Sequence, residues 1–134
     1  MNPKFWGPGA WTFLHSVTMS YPKKPTEEDK RVYTNFFKSL QDVLPCEKCS
    51  YNYSNNLHKH PIERSLGSRK DMIQWLITIH NEVNKETHKR TYTYDEVIEE
   101  YKYKIKHIDS DETIVYKVII LALFIFIGYK FLTK

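Results

Sequence analysis

Residues 68–84 read Ser-Arg-Lys-Asp-Met-Ile-Gln-Trp-Leu-Ile-Thr-Ile-His-Asn-Glu-Val-Asn, and this stretch predicts the most strongly patterned helix of the chain. Ser68, followed three residues later by Asp71, is typical of a helix start, because these side chains satisfy free backbone N–H groups. The apolar side chains then recur at helical spacing, at Met72, Trp75, Leu76, Ile79 and Val83. Such a stripe must be covered, so the stretch predicts a helix packed against others.

The rest of the chain shows the same helical spacing between breaks made by Gly and Pro. We expect a first helix over residues 10–20 and a second from Thr26, whose core face is predicted to carry Val32, Phe36, Leu40 and Val43. A third is expected from Cys46 to about residue 57, and a short fifth over about residues 94–105. No window alternates with the period of a strand, so the sequence predicts an all-α bundle.

Length and charge limit the functions that this chain can have. Its 134 residues fit one compact domain. Residues 1–113 carry 17 basic and 16 acidic side chains, and a nearly neutral domain is not typical of a nucleic-acid binder. Two cysteines are too few for a disulfide-framework fold. Aromatic residues make up 15% of the chain, which suits a surface that stacks on a flat ligand.

The C-terminal residues differ from the rest. Residues 118–129 carry no charge, and residues 114–132 would span about 28 Å as a helix if Lys117 and Lys130 reached the two head-group layers. A buried core helix is the alternative. The pattern favours a C-terminal transmembrane anchor over residues 114–134, a linker at 109–113 and a domain at 1–108. The chain would then be a single-pass membrane protein, with its domain placed on the cytoplasmic side by nearby lysines.

Both cysteines lie in the motif Cys46-Glu-Lys-Cys49. At a helix start the two side chains share a face, and the helix dipole favours a thiolate, so the motif suits a dithiol that opens and closes. One alternative is a zinc-binding or interaction module tethered to the membrane that adds His58 and His60 as ligands, although their spacing is unusual. A second alternative is that Cys46 and Cys49 are two reduced thiols with a purely structural role.

Two further groups of side chains are candidates for ligand binding. Trp11 and His15 are four residues apart and project together from the first helix, although core packing would also explain them. His80, Asn81 and Asn84 lie along one edge of the fourth helix. Such polar groups could bind the heteroatoms of a planar ligand while aromatic faces stack on its rings.

Taken in chain order, these motifs form a set: Trp6-Gly7 with Trp11, Leu14 and His15, then Tyr21-Pro22 with Pro25-Thr26, then Pro45-Cys46 with Cys49, then Trp75-Leu76 with His80-Asn81 and Val83-Asn84. The set resembles the Erv/ALR family of FAD-linked sulfhydryl oxidases, especially its short members from large DNA viruses. The resemblance covers about residues 5–105. It implies a four-helix bundle with a short fifth helix, non-covalently bound FAD and a homodimer.

The resemblance also implies roles for individual residues. Cys46 would be the outer sulfur that meets a substrate thiol, and Cys49 would face the flavin, from which electrons pass to O2 to give H2O2. Thr87 and Arg90 depart from the family pattern. Substrates would be protein thiols or a separate thiol carrier, because no second cysteine pair is present to relay electrons. The implied FAD-binding residues are Gly7, Trp11, His15, His80, Asn81, Asn84, Lys89 and Tyr92.

Overall fold

The structure, a computed structural model, describes residues 1–132, and for residues 109–112, 128 and 130–132 it describes the backbone alone. Within these residues all regular structure is helical, which confirms the all-α prediction. The chain divides into two units, Met1–Tyr94 and Asp95–Lys134. The helices are α1 (Pro3–Ser20), α2 (Glu27–Val43), α3 (Glu47–Lys59), a short 3-10 helix (Ile62–Ser65), α4 (Arg69–Glu86) and α5 (Tyr94–Leu132).

The first four α-helices form an antiparallel bundle within the first unit. Tyr21, at the end of α1, donates a hydrogen bond to the carbonyl of Leu66, just before α4. Farther along both helices, His15 of α1 meets His80 of α4. The start of α1 and the end of α4 therefore lie at the same end of the bundle.

Helix α3 runs antiparallel to both of its neighbours. The Tyr53 hydroxyl donates to the carbonyl of Phe37 in α2, and Ser50 donates to the carbonyl of Leu44 just after α2. On the other side, Trp75 of α4 donates to the carbonyl of His60. These contacts place the start of α3 at the end of the bundle that also holds the start of α1 and the end of α4.

The core of the bundle is built mainly around α4. Its buried side chains meet apolar and aromatic residues of the other helices, and several of them are completely inaccessible to solvent. Phe37 packs edge-on against Trp75, with ring centroids 5.0 Å apart. The buried core cluster comprises Leu14, Tyr21, Phe37, Tyr53, Leu57, Ile62, Met72, Trp75, Leu76 and Ile79.

The helix starts predicted from the sequence are confirmed for α2 and α4. Thr26 and Asp29 form a capping box, in which the backbone N–H of Asp29 donates to the Thr26 hydroxyl oxygen. Ser68 caps α4 by accepting from the backbone N–H of Asp71, and its hydroxyl donates to the Asp71 carboxylate. In both cases a short oxygen side chain satisfies a donor that has no partner within the helix.

Two details of the helix prediction were wrong. Helix α1 begins at Pro3, not near residue 10, because Asn2 caps it and a proline is well tolerated at the first helical position. Pro8 lies inside the helix. On α2, Phe37 is the buried residue; Phe36 and Leu40 of the predicted core face are partly buried and pack against the core, while Val32 and Val43 are exposed. Phe36 and Phe37 both face the core, and packing against α3 and α4 buries Phe37 completely.

The prediction of a membrane anchor is also wrong. Helix α5 extends from Tyr94 to Leu132 instead of ending near residue 105, and its backbone stays helical through the predicted linker at 109–113. In the part of the chain that the structure describes, no helix is both long and apolar enough to cross a membrane. The uncharged run 118–129 would span only about 18 Å. The predicted single-pass location, with the domain on the cytoplasmic side, depended on this anchor and is corrected with it. Residues 133–134 of the predicted anchor lie outside the described residues.

Helix α4 ends in a Schellman motif built around a histidine. The backbone N–H of Lys89 donates to the carbonyl of Asn84 at 2.8 Å, and that of His88 donates to the carbonyl of Lys85. His88 has φ of 56°, in the left-handed region where glycine is favoured at this position.

Replacing His88 with Gly should therefore stabilise the protein. Relieving the left-handed conformation of a non-glycine residue is expected to raise the free energy of unfolding by about 1 kcal/mol. His88→Ala is the matched control, because alanine has the same backbone restriction, and it should leave stability nearly unchanged. Chemical denaturation measures both. A glycine variant no more stable than the alanine variant would contradict the account.

A charged group links α4 to the end of α3. Glu82 accepts a hydrogen bond from Lys85 at 2.7 Å and lies 3.9 Å from the Lys59 ammonium and 4.0 Å from the His60 ring. The hydrogen bond from Lys85 is the main cause that lowers the pKa of the Glu82 carboxyl, and the charges of its basic neighbours add to it.

The stabilisation from Glu82 should depend on pH. Because the pKa is lowered in the folded state, the stabilisation is present above the ordinary pKa of 4.5 and is lost as pH falls through the lowered value. Glu82→Gln should therefore be less stable than wild type at pH 7 and nearly equal to it at low pH. Urea denaturation across this range measures the difference. A constant difference at all pH values would rule out the charge as its source.

Candidate functional site

The two cysteines form a disulfide at the start of α3. Cys46 is the N-cap residue, and its sulfur accepts a hydrogen bond from the backbone N–H of Cys49 at 3.3 Å. Both residues are half-buried. The predicted pairing of Cys46 with Cys49 is thus present, at a helix N-terminus whose N–H groups favour negative charge on sulfur.

A stacked group of rings joins α1 to α4. The Trp11 and His80 rings are nearly parallel, at an angle of 7°, with centroids 3.8 Å apart. The His15 Nε2 and His80 Nδ1 atoms are 3.1 Å apart, which is hydrogen-bond distance for either direction of donation. His15 is buried. The structure therefore brings together three of the residues predicted to bind a planar ligand.

Asn81 and Asn84 are both on α4 but have different surroundings. The Asn81 carboxamide makes two hydrogen bonds with the main chain of Tyr92, donating to its carbonyl at 2.8 Å and accepting from its N–H at 2.9 Å. Asn81 therefore holds the segment that follows α4, and its predicted contact with a cofactor stays a prediction. Asn84 is buried.

Among the residues that the structure describes, the buried side-chain atoms without a hydrogen-bond partner include Trp6 Nε1, Asn84 Nδ2 and Asn56 Oδ1. A buried donor or acceptor that stays unpaired costs about 1–3 kcal/mol, so such atoms mark places where a ligand would restore hydrogen bonds. Trp6 and Asn56 were not predicted as site residues. Asn56 follows Cys49 by two helical turns, and that spacing was the available signal.

The other predicted residues have fewer contacts. A Cβ atom built at Gly7 would have no neighbour within 4 Å, so the structure has open space beside this half-buried glycine. The backbone of Lys89 completes the Schellman motif, and its side chain is exposed. The Arg90 guanidinium lies over the Tyr92 ring, 4.3 Å from its centroid.

The alternative of a zinc site finds no support. Both cysteine sulfurs are engaged in the disulfide, and His58 Nδ1 is 2.7 Å from the carbonyl of Ser54. The described residues contain no group of three or more potential metal ligands. His60 lines a separate cavity of about 250 Å³, which lies on the side of α4 that carries Asp71, Gln74 and Thr78 and includes none of the residues predicted to bind FAD.

The candidate site residues come from α1, the start of α3 and the C-terminal half of α4, which the antiparallel packing places in the same half of the bundle. Helix α1 provides Trp6, Trp11 and His15, the start of α3 provides the disulfide, and the C-terminal half of α4 provides His80 and Asn84. A model of the Erv1 / Alr family matches residues 8–103. The chain belongs to the Erv1/Alr family.

Relatives with known names agree with this assignment. The chain is 49% identical over 100 residues to a probable FAD-linked sulfhydryl oxidase of Acanthamoeba polyphaga mimivirus, a match that covers 74% of this chain and 70% of that protein. It is 32% identical to the FAD-linked sulfhydryl oxidase ERV1 of Arabidopsis thaliana, with 68% of this chain and 47% of that protein covered. The chain thus spans about half the length of the plant relative.

The fold is similar to that of solved members of the Erv1/Alr family. The crystal structure of the FAD binding domain of Erv1 from Saccharomyces cerevisiae has a TM-score of 0.66 and 29% sequence identity, with 69% of this chain and 87% of that chain covered. The crystal structure of the yeast Erv1 core gives a TM-score of 0.65 at 28% identity, with 69% of this chain and 76% of that chain covered. The predicted family resemblance is confirmed.

Asn81 provides a direct test of the geometry at the end of α4. Asn81→Ala removes both hydrogen bonds to Tyr92, so we expect a loss of about 1–2 kcal/mol in the free energy of unfolding and faster hydrogen exchange at the Tyr92 amide. Asn81→Asp keeps the acceptor but loses the donor, so it should retain part of the protection. Exchange measured by NMR at Tyr92 distinguishes these cases, and unchanged exchange in Asn81→Ala would contradict the structure.

Proposed function

We propose that this chain is an FAD-linked thiol oxidase that forms disulfides in substrate proteins through Cys46 and Cys49. One observation carries the proposal. The disulfide lies in the same half of the bundle as the stacked Trp11 and His80 rings and the buried unpaired atoms of Trp6 and Asn84. The enzyme class and the cofactor predicted from the sequence agree with the names of the relatives, which are FAD-linked sulfhydryl oxidases.

The residues at this end of the bundle fit FAD chemically. Trp11, His15 and His80 offer flat surfaces and ring nitrogens, and Trp6 Nε1 and Asn84 Nδ2 are donors that lack acceptors. The open space beside Gly7 would admit a ligand close to the backbone. Lys89, Tyr92 and Asn81 complete the proposed set. When bound, FAD would supply a two-electron acceptor that reoxidises the cysteine pair and is itself reoxidised by O2 with formation of H2O2.

The protein's own chemistry is thiol–disulfide exchange. A substrate thiolate attacks the Cys46 sulfur, the Cys46–Cys49 bond breaks, and Cys49 leaves as a thiolate. A second substrate thiolate then attacks the mixed disulfide and releases Cys46. The substrate has gained a disulfide, and the enzyme has gained the two electrons as a reduced pair. The N–H of Cys49, which already donates to the Cys46 sulfur, would stabilise the released Cys46 thiolate.

The position of each sulfur in the helix suits this division of roles. Cys46 precedes the first helical residue, whereas Cys49 lies in the first turn, on the face that continues through Tyr53 and Asn56. We therefore assign Cys46 to the substrate and Cys49 to the cofactor. Protein thiols or a thiol carrier would reduce the pair. A homodimer stays a prediction.

Replacing Cys49 with Ser tests the mechanism. We expect Cys49→Ser to retain bound FAD, with its visible absorption, and to lose thiol-dependent oxygen uptake, because without Cys49 no disulfide can form to accept electrons from a substrate thiol. Cys46→Ser is the matched control, since it removes the same disulfide and should also lose oxygen uptake while keeping the sulfur assigned to the cofactor. Oxygen-electrode and absorption measurements give both readouts. Turnover by Cys49→Ser at the wild-type rate would overturn the mechanism.

A further inference from the structure

Asn56 is a buried polar residue that the reaction above does not use. It lies on α3, two helical turns after Cys49 and on the same face of the helix, and its side chain is inaccessible to solvent. This face meets the end of α4, because the Asn52 and Asn56 side chains both donate to the carboxylate of Glu86, at 2.7 Å and 3.4 Å.

Glu86 determines which end of the Asn56 amide faces the carboxylate. A carboxylate only accepts hydrogen bonds, so the NH2 group of Asn56 must point towards Glu86 and the carbonyl oxygen must point away from it. That oxygen is buried and has no hydrogen-bond partner. The alternative orientation would place the oxygen against the carboxylate, where the two acceptors would repel each other. Asn56 therefore presents a fixed, unpaired acceptor in the interior of the bundle.

We infer that Asn56 is a further cofactor-binding residue, whose side-chain oxygen accepts a hydrogen bond from an N–H or O–H group of FAD, and that Glu86 is the positioning residue that fixes this orientation. The inference rests on the proposed function. Two observations support it: the shared face with Cys49, and the unpaired donor of Asn84 on the neighbouring helix. FAD carries donors as well as acceptors, so one bound molecule could satisfy Asn56 and Asn84.

Asn56→Leu is the central variant of the test. Leucine is similar in shape and has no polar atom, so it removes an unpaired buried acceptor from the ligand-free protein and removes a hydrogen bond from the FAD complex. We expect the dissociation constant for FAD to rise about tenfold, while the melting temperature of the FAD-free full chain stays equal or rises. Quenching of FAD fluorescence measures the dissociation constant, and calorimetry without FAD measures the melting temperature.

Asn55→Leu is the matched control. Asn55 is the neighbouring asparagine on α3 and is exposed, so the same substitution there should leave the affinity for FAD unchanged. If Asn56→Leu lowers the melting temperature of the FAD-free chain and leaves FAD affinity equal to that of Asn55→Leu, Asn56 is structural and the inference is overturned.

Glu86→Lys tests the orientation without disturbing the core, because Glu86 is exposed. A lysine only donates, so the Asn56 amide should rotate, place its oxygen towards the lysine and present its NH2 group instead. We expect FAD affinity to fall by about as much as in Asn56→Leu, and the double variant to show no further loss. An unchanged or higher affinity in Glu86→Lys, or additive losses in the double variant, would overturn the positioning role.

The same titrations separate this inference from the proposed function. If the wild-type chain does not bind FAD, the proposed function fails. If the wild-type chain binds FAD and Asn56→Leu binds it equally well, the function stands and only the role of Asn56 is wrong.

Discussion

Burial of α4 is the constraint on which the rest of the bundle depends. Six apolar side chains of this helix are buried, and they face more than one direction around its axis: Met72, Ile73, Trp75, Leu76, Ile77 and Ile79. A helix that is apolar on several sides must be surrounded. Helix α1 packs on one side of α4, α3 and the 3-10 helix pack on others, and α2 closes over α3. The antiparallel order of these helices follows from the short connections between them.

This packing brings the site residues together. As α4 leaves the core, its side chains become polar at His80, Asn81 and Asn84. The antiparallel neighbours begin towards this same end, so the disulfide of α3 lies towards the polar end of α4 and the Trp11 ring of α1 stacks on His80. Buried polar atoms without partners reduce the stability of the ligand-free chain, and a bound cofactor that satisfies them would be linked to folding.

Much of this arrangement could be predicted from the sequence, and the exceptions have physical causes. Helix starts at Thr26 and Ser68 depend on side chains within three residues, so local sequence predicts them. How far the buried face of α2 extends, with Phe37 fully buried and Val32 and Val43 exposed, depends on how α3 and α4 pack against it, and no local pattern contains that information. The membrane anchor was inferred from an apolar run whose uncharged part is too short to span a bilayer. The role of Asn81 was missed because its partner, Tyr92, is bound through main-chain atoms that look the same in every residue.

By itself, the sequence determined that the chain is helical, the caps of α2 and α4, the cysteine pair and the family, because spacing along a helix and an ordered set of motifs are local or linear properties. Only the tertiary structure decided that Trp11 stacks on His80, that Asn81 holds Tyr92, and that Glu86 orients the amide of Asn56. Each of these contacts joins residues at least 11 positions apart in the chain. Which residues come into contact depends on how the helices pack around α4, and that packing is determined by the burial of the whole core.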